Sequence, residues 1–386
     1  MKATPLCNVF GRCGGCKYQD IDYSAQIVIK KNDAFELFKR NGIPFYQQNL
    51  NIFFKNEYYY RNRMDFIISK DGCGLREKGK FHKIVNFDKC FIANEKINKI
   101  LSETNQWIKN YIKEDEVFDI RKKTGVLRYC VIRAGFFTDD TLVTFILNKE
   151  AEKEKIEKVL EKLKLFISQS GAKSVLYGFV KHNTDISITD EFFVLKGKEF
   201  LEEKISDIRY FYHSQGFFQS NIGITTDIMF YIKDKIKDKY DLLLDMFGGV
   251  GTFGIFLSDV AKEVIIFDNN KYEEEMAVKN INENKRLNII FKRLDILNVQ
   301  DLLQSVKDRK SIFIADPPRT GLHKKAINFI LDTLPEKIFY ISCNILKFIE
   351  NYKEIDKRYI IKSFALFDMF PHTPHLESVA ELELKK

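Results

Sequence analysis

The chain has 386 residues, of which 45% are hydrophobic and 30% charged, so it carries material for two or three cores and is not a disordered protein. No run of about 18 apolar residues occurs and the first residues lack an apolar signal core, which excludes a membrane-spanning helix and points to a cytoplasmic protein. Sixty-two Lys and Arg against 54 Asp and Glu leave a net charge of +8, compatible with a polyanionic partner but weak evidence for one.

The seven cysteines are an odd count for a disulfide framework, and three of them crowd the start. Cys7, Cys13 and Cys16 lie in a glycine-rich loop with the spacing C-x5-C-x2-C. A helix is predicted from Asp22 to about Asn41, with Ile27, Ala34, Leu37 and Phe38 on its apolar face and Gly42 and Pro44 beyond its end. From Ile52 to Leu195 the alternation predicts strands at Met64–Ser69, Tyr129–Gly135, Thr141–Asn148, Ser174–Phe179 and Ile186–Thr189. The charge-laced helix Glu150–Ser168 interrupts them. This middle region reads as an α+β module built on an antiparallel sheet.

Past Gln215 short apolar bursts alternate with helical stretches: Leu242–Phe247, Glu263–Phe267, Ile289–Lys292, Ser311–Ala315, Lys337–Ser342 and Ile360–Phe367. Buried parallel strands linked by helices have that signature, so the C-terminal part is expected to be a doubly wound α/β domain. The expected division is 1–50, an N-terminal cysteine segment and helix; 51–214, the central module; and 215–386, the doubly wound domain.

At the first of these strands, Asp245 to Gly254 reads DMFGGVGTFG, a glycine-rich turn that lets a ligand approach the backbone. The next strand ends at Asp268, an acceptor for ribose hydroxyls, and the third at Asp295, which can meet an adenine amino group. An acid ahead of the glycines repels a pyrophosphate and suits a cationic cofactor, so S-adenosylmethionine is favoured over a dinucleotide. Two more strands end in Asp316-Pro317-Pro318-Arg319 and Ser342-Cys343-Asn344, where open α/β sheets build their sites. Cys343 reads either as a small buried hydrophobe or as a nucleophile whose thiol a following helix N-terminus acidifies. The polar loop Asp368–Glu377 holds His372 and His375, metal ligands or packing groups, and ends in Glu377, a general base or a surface carboxylate. Tyr58-Tyr59-Tyr60-Arg61-Asn62-Arg63 offers aromatics beside two guanidiniums, either a base-stacking, phosphate-contacting surface or an ordinary strand.

Together these motifs resemble the RNA uracil-5-methyltransferase family over nearly the whole chain. Phe217–Asn221 is similar to its FFQ segment, Asp245–Gly251 to its cofactor loop, Asp316–Gly321 to its DPPR-type loop, Ser342–Asn344 to its nucleophile signature and Asp368–Glu377 to its DMFPxTxHxE ending. The resemblance implies a Rossmann-like S-adenosylmethionine-dependent domain in which Cys343 attacks uracil C6 and Glu377 removes the C5 proton. Gln219, Phe247, Gly249, Gly251, Asp268, Asp295 and Asp316 would line the cofactor or the uracil edge, and Arg61, Arg63 and Arg319 would meet RNA. Three thiolates spaced C-x5-C-x2-C with a remote fourth suit a [4Fe–4S] cluster or zinc, and spacing alone favours zinc; the resemblance reverses this and implies the cluster, on Cys7, Cys13, Cys16 and Cys90. With no barrel-like extension before Cys7, the cysteine set points within the family to the compact 23S rRNA (uracil-747) type, acting as a monomer. Another 23S rRNA uridine or tRNA is the alternative substrate. Two departures stand out: Gly248 occupies a place where cysteine is common, and Ile345 replaces the proline after Ser-Cys-Asn and is expected to perturb the aim of Cys343. The competing readings are an adenine or guanine N-methyltransferase, disfavoured by Arg319 where an aromatic would stack, and a non-catalytic iron–sulfur RNA-binding protein.

Overall fold

The computed structural model describes residues 2–44 and 50–385, which fall into two compact units. The first comprises Met1–Asp22, Asn56–Lys204 and His213–Gln215; the second comprises Tyr23–Lys55, Ile205–Tyr212 and Gly216–Lys386. The division differs from the expected one, because the helix Tyr23–Arg40 goes with the C-terminal residues instead of the cysteine segment. Its apolar face explains this: Ala34 and Phe38 are buried in the second unit's core, with the Phe38 ring edge-on to Phe364 at 4.8 Å.

The first unit is built on a seven-stranded sheet in the order Lys80–Asn86, Gly72–Glu77, Arg63–Ser69, Leu127–Ala134, Thr141–Asn148, Ser174–Val180, Phe192–Lys196. Every neighbour is antiparallel except Thr141–Asn148 with Ser174–Val180, whose crossover is the helix Lys153–Gln169. That helix and Glu95–Tyr111 contribute Phe166 and Trp107, which pack with the strand residue Phe145 in one core. Ile186–Thr189, expected as a strand, is irregular. Local side-chain bonds claim it: Thr189 Oγ1 donates to the Phe179 carbonyl and accepts the Glu191 amide, and the sheet resumes at Phe192.

The second unit holds an eight-stranded sheet in the order Asn51–Phe53, Tyr359–Phe367, Glu377–Leu384, Lys337–Ser342, Ser311–Ala315, Tyr240–Met246, Ala261–Asp268, Ile289–Arg293. The five strands from Lys337–Ser342 to Ile289–Arg293 in that order are parallel. Tyr240–Met246 has its successor on one side and Ser311–Ala315 on the other, which is the switch point where such sheets open a crevice. Tyr359–Phe367, expected to be parallel like the rest, pairs antiparallel with Glu377–Leu384, since the loop between them is too short for a crossover. Among the described residues no helix is long and apolar enough to cross a membrane.

Candidate active site

At the switch point the chain turns sharply after Met246. Phe247, Gly249 and Gly251 all take positive φ, of 60°, 53° and 86°, and Gly251 opens the helix Thr252–Phe256. Gly248 between them has no room for a side chain, because a Cβ there would lie 2.4 Å from Ile266 Cγ2. Gly248 is thus matched to the β-branched Ile266 on the next strand. Gly248→Cys is expected to destabilise the protein by about 1–3 kcal/mol through this overlap; an unchanged denaturant midpoint would show that Ile266 yields freely.

Asp245 is fully buried beneath this turn. Its Oδ2 accepts the Gly254 amide at 2.7 Å, whereas Oδ1 is buried with no partner. Burial, reinforced by the charges of Asp316 and Asp268, pushes its carboxyl up to about 8. A cationic group would supply the missing countercharge. Asp268 ties two turns together, accepting Gly249 N–H at 3.2 Å and Asn270 N–H at 3.0 Å. Asp295 lies at the rim and caps the Ile296–Leu302 turn through Leu297 N–H at 2.8 Å, a bond that holds its carboxyl below the ordinary range.

Gln219 Nε2 donates to Asp316 Oδ2 at 3.0 Å, joining the FFQ segment to the DPPR loop. Burial lifts Asp316 to about 7 against that hydrogen bond. Glu273, which sequence reasoning missed, is buried and accepts the Phe217 amide at 2.5 Å, anchoring the same segment from a neighbouring helix. Nothing in its local pattern, one acid among three in Glu273-Glu274-Glu275, marks it out.

Sheet register brings the two reactive side chains together. Ser342 pairs with Ser378 in the antiparallel ladder, and Ser378 Oγ donates to Ser342 O at 3.0 Å, so Cys343, just past its strand, lies beside Glu377, which opens the neighbouring one. Cys343 is half-buried and Glu377 is buried. The thiol is pushed up to about 11 by burial and by the charges of Glu377 and Asp316, which the exposed Arg319 opposes. Desolvation and like charge therefore act against the acidification expected from the helix behind the thiol. Burial raises Glu377 well above the ordinary carboxylate range, and Asp316 adds to it. At the Ile345 departure the helix start is formed: Asn344 accepts Lys347 N–H at 3.4 Å as helix cap, and Ile345 takes the first helical position, where proline is favoured but not required.

His372 is buried and pairs through Nδ1 with Gln26 Nε2 at 3.2 Å, so it is a packing group. His375 is exposed.

The remaining expected residues lie in the first unit. Arg63 is engaged bidentately by Asp65 at 2.8 and 2.9 Å, and Tyr60 is buried in the core, so neither presents the surface expected of it. Tyr58 and Tyr59 pack around Phe91 with Lys89 5.0 Å over the Tyr59 ring. Arg61 keeps a buried Nε without a hydrogen bond, and its charge acts on Cys16. Cys7, Cys13, Cys16 and Cys90 line one small cavity as free thiols. Gly15 N–H approaches Cys13 Sγ at 3.4 Å and Gln19 Nε2 approaches Cys16 Sγ at 3.3 Å. Burial pushes Cys16 up to about 11 and Cys90 up to about 12. Among the described residues no three His, Cys, Asp or Glu groups are set to hold a metal ion. The donor chemistry thus fits a thiolate-bound group, but the four sulfurs do not close on a single ion.

The family model described as tRNA (Uracil-5-)-methyltransferase matches residues 22–385. The chain belongs to this family. It is thereby an RNA uracil-C5 methyltransferase, and the N-methyltransferase and non-catalytic readings fall. Similar family members include the tRNA (uracil(54)-C(5))-methyltransferases of Pyrococcus abyssi, 33% identical over 99% of this chain and 86% of its own length, and Pyrococcus furiosus, 31% identical over 97% and 84%. An uncharacterized RNA methyltransferase of Caldanaerobacter subterraneus subsp. tengcongensis is 32% identical over 98% of this chain and 84% of its own. Among solved structures, that of Pyrococcus abyssi tRNA (uracil-54, C5)-methyltransferase in complex with S-adenosyl-L-homocysteine superposes with a TM-score of 0.77 at 31% identity, covering 96% of this chain and 86% of that one.

Proposed function

We propose that this family member methylates C5 of a uridine in tRNA, with Cys343 as nucleophile and Glu377 as base. The observation that carries the assignment is the Ser342–Ser378 register, which sets a thiol beside a buried carboxyl at the C-terminal edge of the sheet. Uracil C5 is too weak a nucleophile to be alkylated unaided. Cys343, once its thiol proton has passed to solvent, bonds through the thiolate Sγ to C6, the C5=C6 electrons move into the ring carbonyl system as an enolate, and C5 becomes nucleophilic. S-adenosylmethionine, when bound, supplies an electrophilic methyl group. Glu377 then takes the C5 proton and the electrons of that bond expel Cys343 from C6, restoring the double bond. Asp245 would face the cationic end of the cofactor with its unpartnered oxygen, Phe247, Gly249 and Gly251 would admit it to the backbone, and Asp268 and Asp295 would meet its ribose and adenine. Gln219 and Asp316 hold the uracil edge or the cofactor's methionine end, and Arg319 receives the backbone of a flipped-out nucleotide.

The names of the Pyrococcus relatives, similar over nearly the whole chain, favour tRNA over the uracil-747 site of 23S rRNA expected from the cysteine set. Mapping 5-methyluridine in tRNA and in 23S rRNA incubated with the purified enzyme tests this. Methylation confined to rRNA would overturn the substrate. RNA carrying 5-fluorouridine tests the chemistry, since fluorine cannot leave as a cation and an SDS-stable protein–RNA adduct must accumulate; its absence would sink the mechanism.

The thiol's position sets a pH dependence. Cys343 is raised above its ordinary value, so it is protonated at neutral pH and its thiolate fraction grows with alkalinity until pH passes about 11. Adduct formation on 5-fluorouridine RNA is therefore expected to accelerate by about tenfold per unit between pH 7 and 9. A flat profile would mean that bound ligands have already freed the thiolate.

The proposal extends to the first unit, where Cys7, Cys13, Cys16 and Cys90 hold a [4Fe–4S] cluster of structural or RNA-facing role, in a cytoplasmic monomer. Support comes from the four thiols sharing one cavity with N–H groups directed at two of the sulfurs. Anaerobic purification is expected to give a brown protein absorbing near 400 nm; a colourless protein with stoichiometric zinc would overturn the cluster.

A further inference from the structure

The loop that carries the chain into Glu377 is held by a helix far away in sequence. Tyr23, Gln26 and Lys30 occupy one face of the helix Tyr23–Arg40, and Gln26 and Lys30 are buried. Lys30 Nζ donates to Asp368 Oδ1 at 2.6 Å and to the Phe370 carbonyl at 3.1 Å, while Tyr23 O–H donates to Asp368 Oδ2 at 3.0 Å. Gln26 Oε1 accepts the His372 amide at 3.1 Å, and its Nε2 meets His372 Nδ1 at 3.2 Å. His372 itself sits at a φ of 63°, a turn that needs such support. The loop has two further ties: Asp368 N–H donates to Phe53 O at 2.8 Å, and Asn221, at the end of the FFQ segment, donates through Nδ2 to Met369 O at 3.2 Å.

A fully buried ion pair is a poor stabiliser compared with apolar packing, because desolvation of both charges offsets their attraction; its gain is geometric definition. The definition here falls on one segment. Asp368 follows Phe367, the ladder partner of Glu377, so the braced loop closes the hairpin whose far side begins with the proposed base. Cys343 follows a different strand and is fixed by Ser342, Asn344 and the helix Ile345–Ile355.

We infer that Lys30, with Tyr23 and Gln26, is a positioning residue for Glu377, acting on proton removal from C5 and not on thiolate attack. The inference rests on the roles proposed for Cys343 and Glu377. Lys30→Met removes the charge at similar length and leaves Asp368 buried without its cation. With ordinary uridine RNA and S-adenosylmethionine, the variant is expected to turn over about 10²-fold more slowly, the cost of a misplaced group. It should at the same time accumulate an SDS-stable methylated adduct that the wild type resolves. With 5-fluorouridine RNA, where no proton leaves, adduct formation should proceed within about twofold of the wild-type rate, because Cys343 is untouched. Lys30→Arg should restore release, and Tyr23→Phe, which deletes one hydroxyl, should show the same split in weaker form and remain available if Lys30→Met does not fold. Equal loss of adduct formation and turnover in whichever variant folds, or normal turnover in both, would overturn the inference. Failure of the wild type itself to form the fluorouridine adduct would overturn the underlying mechanism instead, so the two are separable.

Discussion

Cys343→Ala is expected to abolish turnover, by about 10⁴-fold or more, and to abolish the covalent adduct with 5-fluorouridine RNA. The other six cysteines belong to the first unit, where Cys73, Cys90 and Cys130 are buried in the core and Cys7, Cys13 and Cys16 pack against it. The substitution deletes only a sulfur from a half-buried position, so the Asn344 cap and the Ser342–Ser378 ladder remain and the protein should keep its thermal midpoint. Measurement of 5-methyluridine together with a denaturing gel separates loss of chemistry from loss of fold. Adduct formation by the alanine variant would show that a different group attacks C6.

Glu377→Gln is expected to divide the reaction instead of abolishing it. The amide keeps the shape of the side chain but cannot accept the C5 proton, so methyl transfer should still occur and the methylated adduct should persist, with steady-state turnover down by about 10²–10⁴-fold. The pH profile supplies a second signature. Glu377 is one of the charges that raise the Cys343 thiol, so its removal lowers the thiol and shifts the alkaline rise of adduct formation to lower pH. Unchanged turnover, or a profile shifted the other way, would remove Glu377 from the mechanism.

Much of this site was legible in the sequence because its chemistry sits at strand ends, where short apolar bursts give way to Asp, Gly, Pro and Cys. Asp245, Asp268, Asp316 and Cys343 follow the same rule of βα connection, and the expected bounds of Ser311–Ala315 and Lys337–Ser342 agree with the structure. What escaped notice lacks a local pattern. The strand Lys80–Asn86 is exposed along its first half and carries Lys and His, so alternation gave no signal there. The edge strand Asn51–Phe53 is only three residues long and owes its pairing to Tyr359–Phe367 more than three hundred positions away. Glu273 and Lys30 look like ordinary solvated charges until the fold supplies the Phe217 amide and Asp368. The elevated Cys343 thiol is likewise a sum over groups from three separate loops, which no single motif contains.

The placement of Glu377–Leu384 has a consequence for biosynthesis. This strand emerges from the ribosome after every other strand of its sheet, yet it occupies an interior position between Tyr359–Phe367 and Lys337–Ser342. Until it inserts, each of those two strands presents an unpaired edge, and the thiol has no carboxyl at its side. The growing sheet is thus open to chaperone capture until Glu377–Leu384 has been made and inserted.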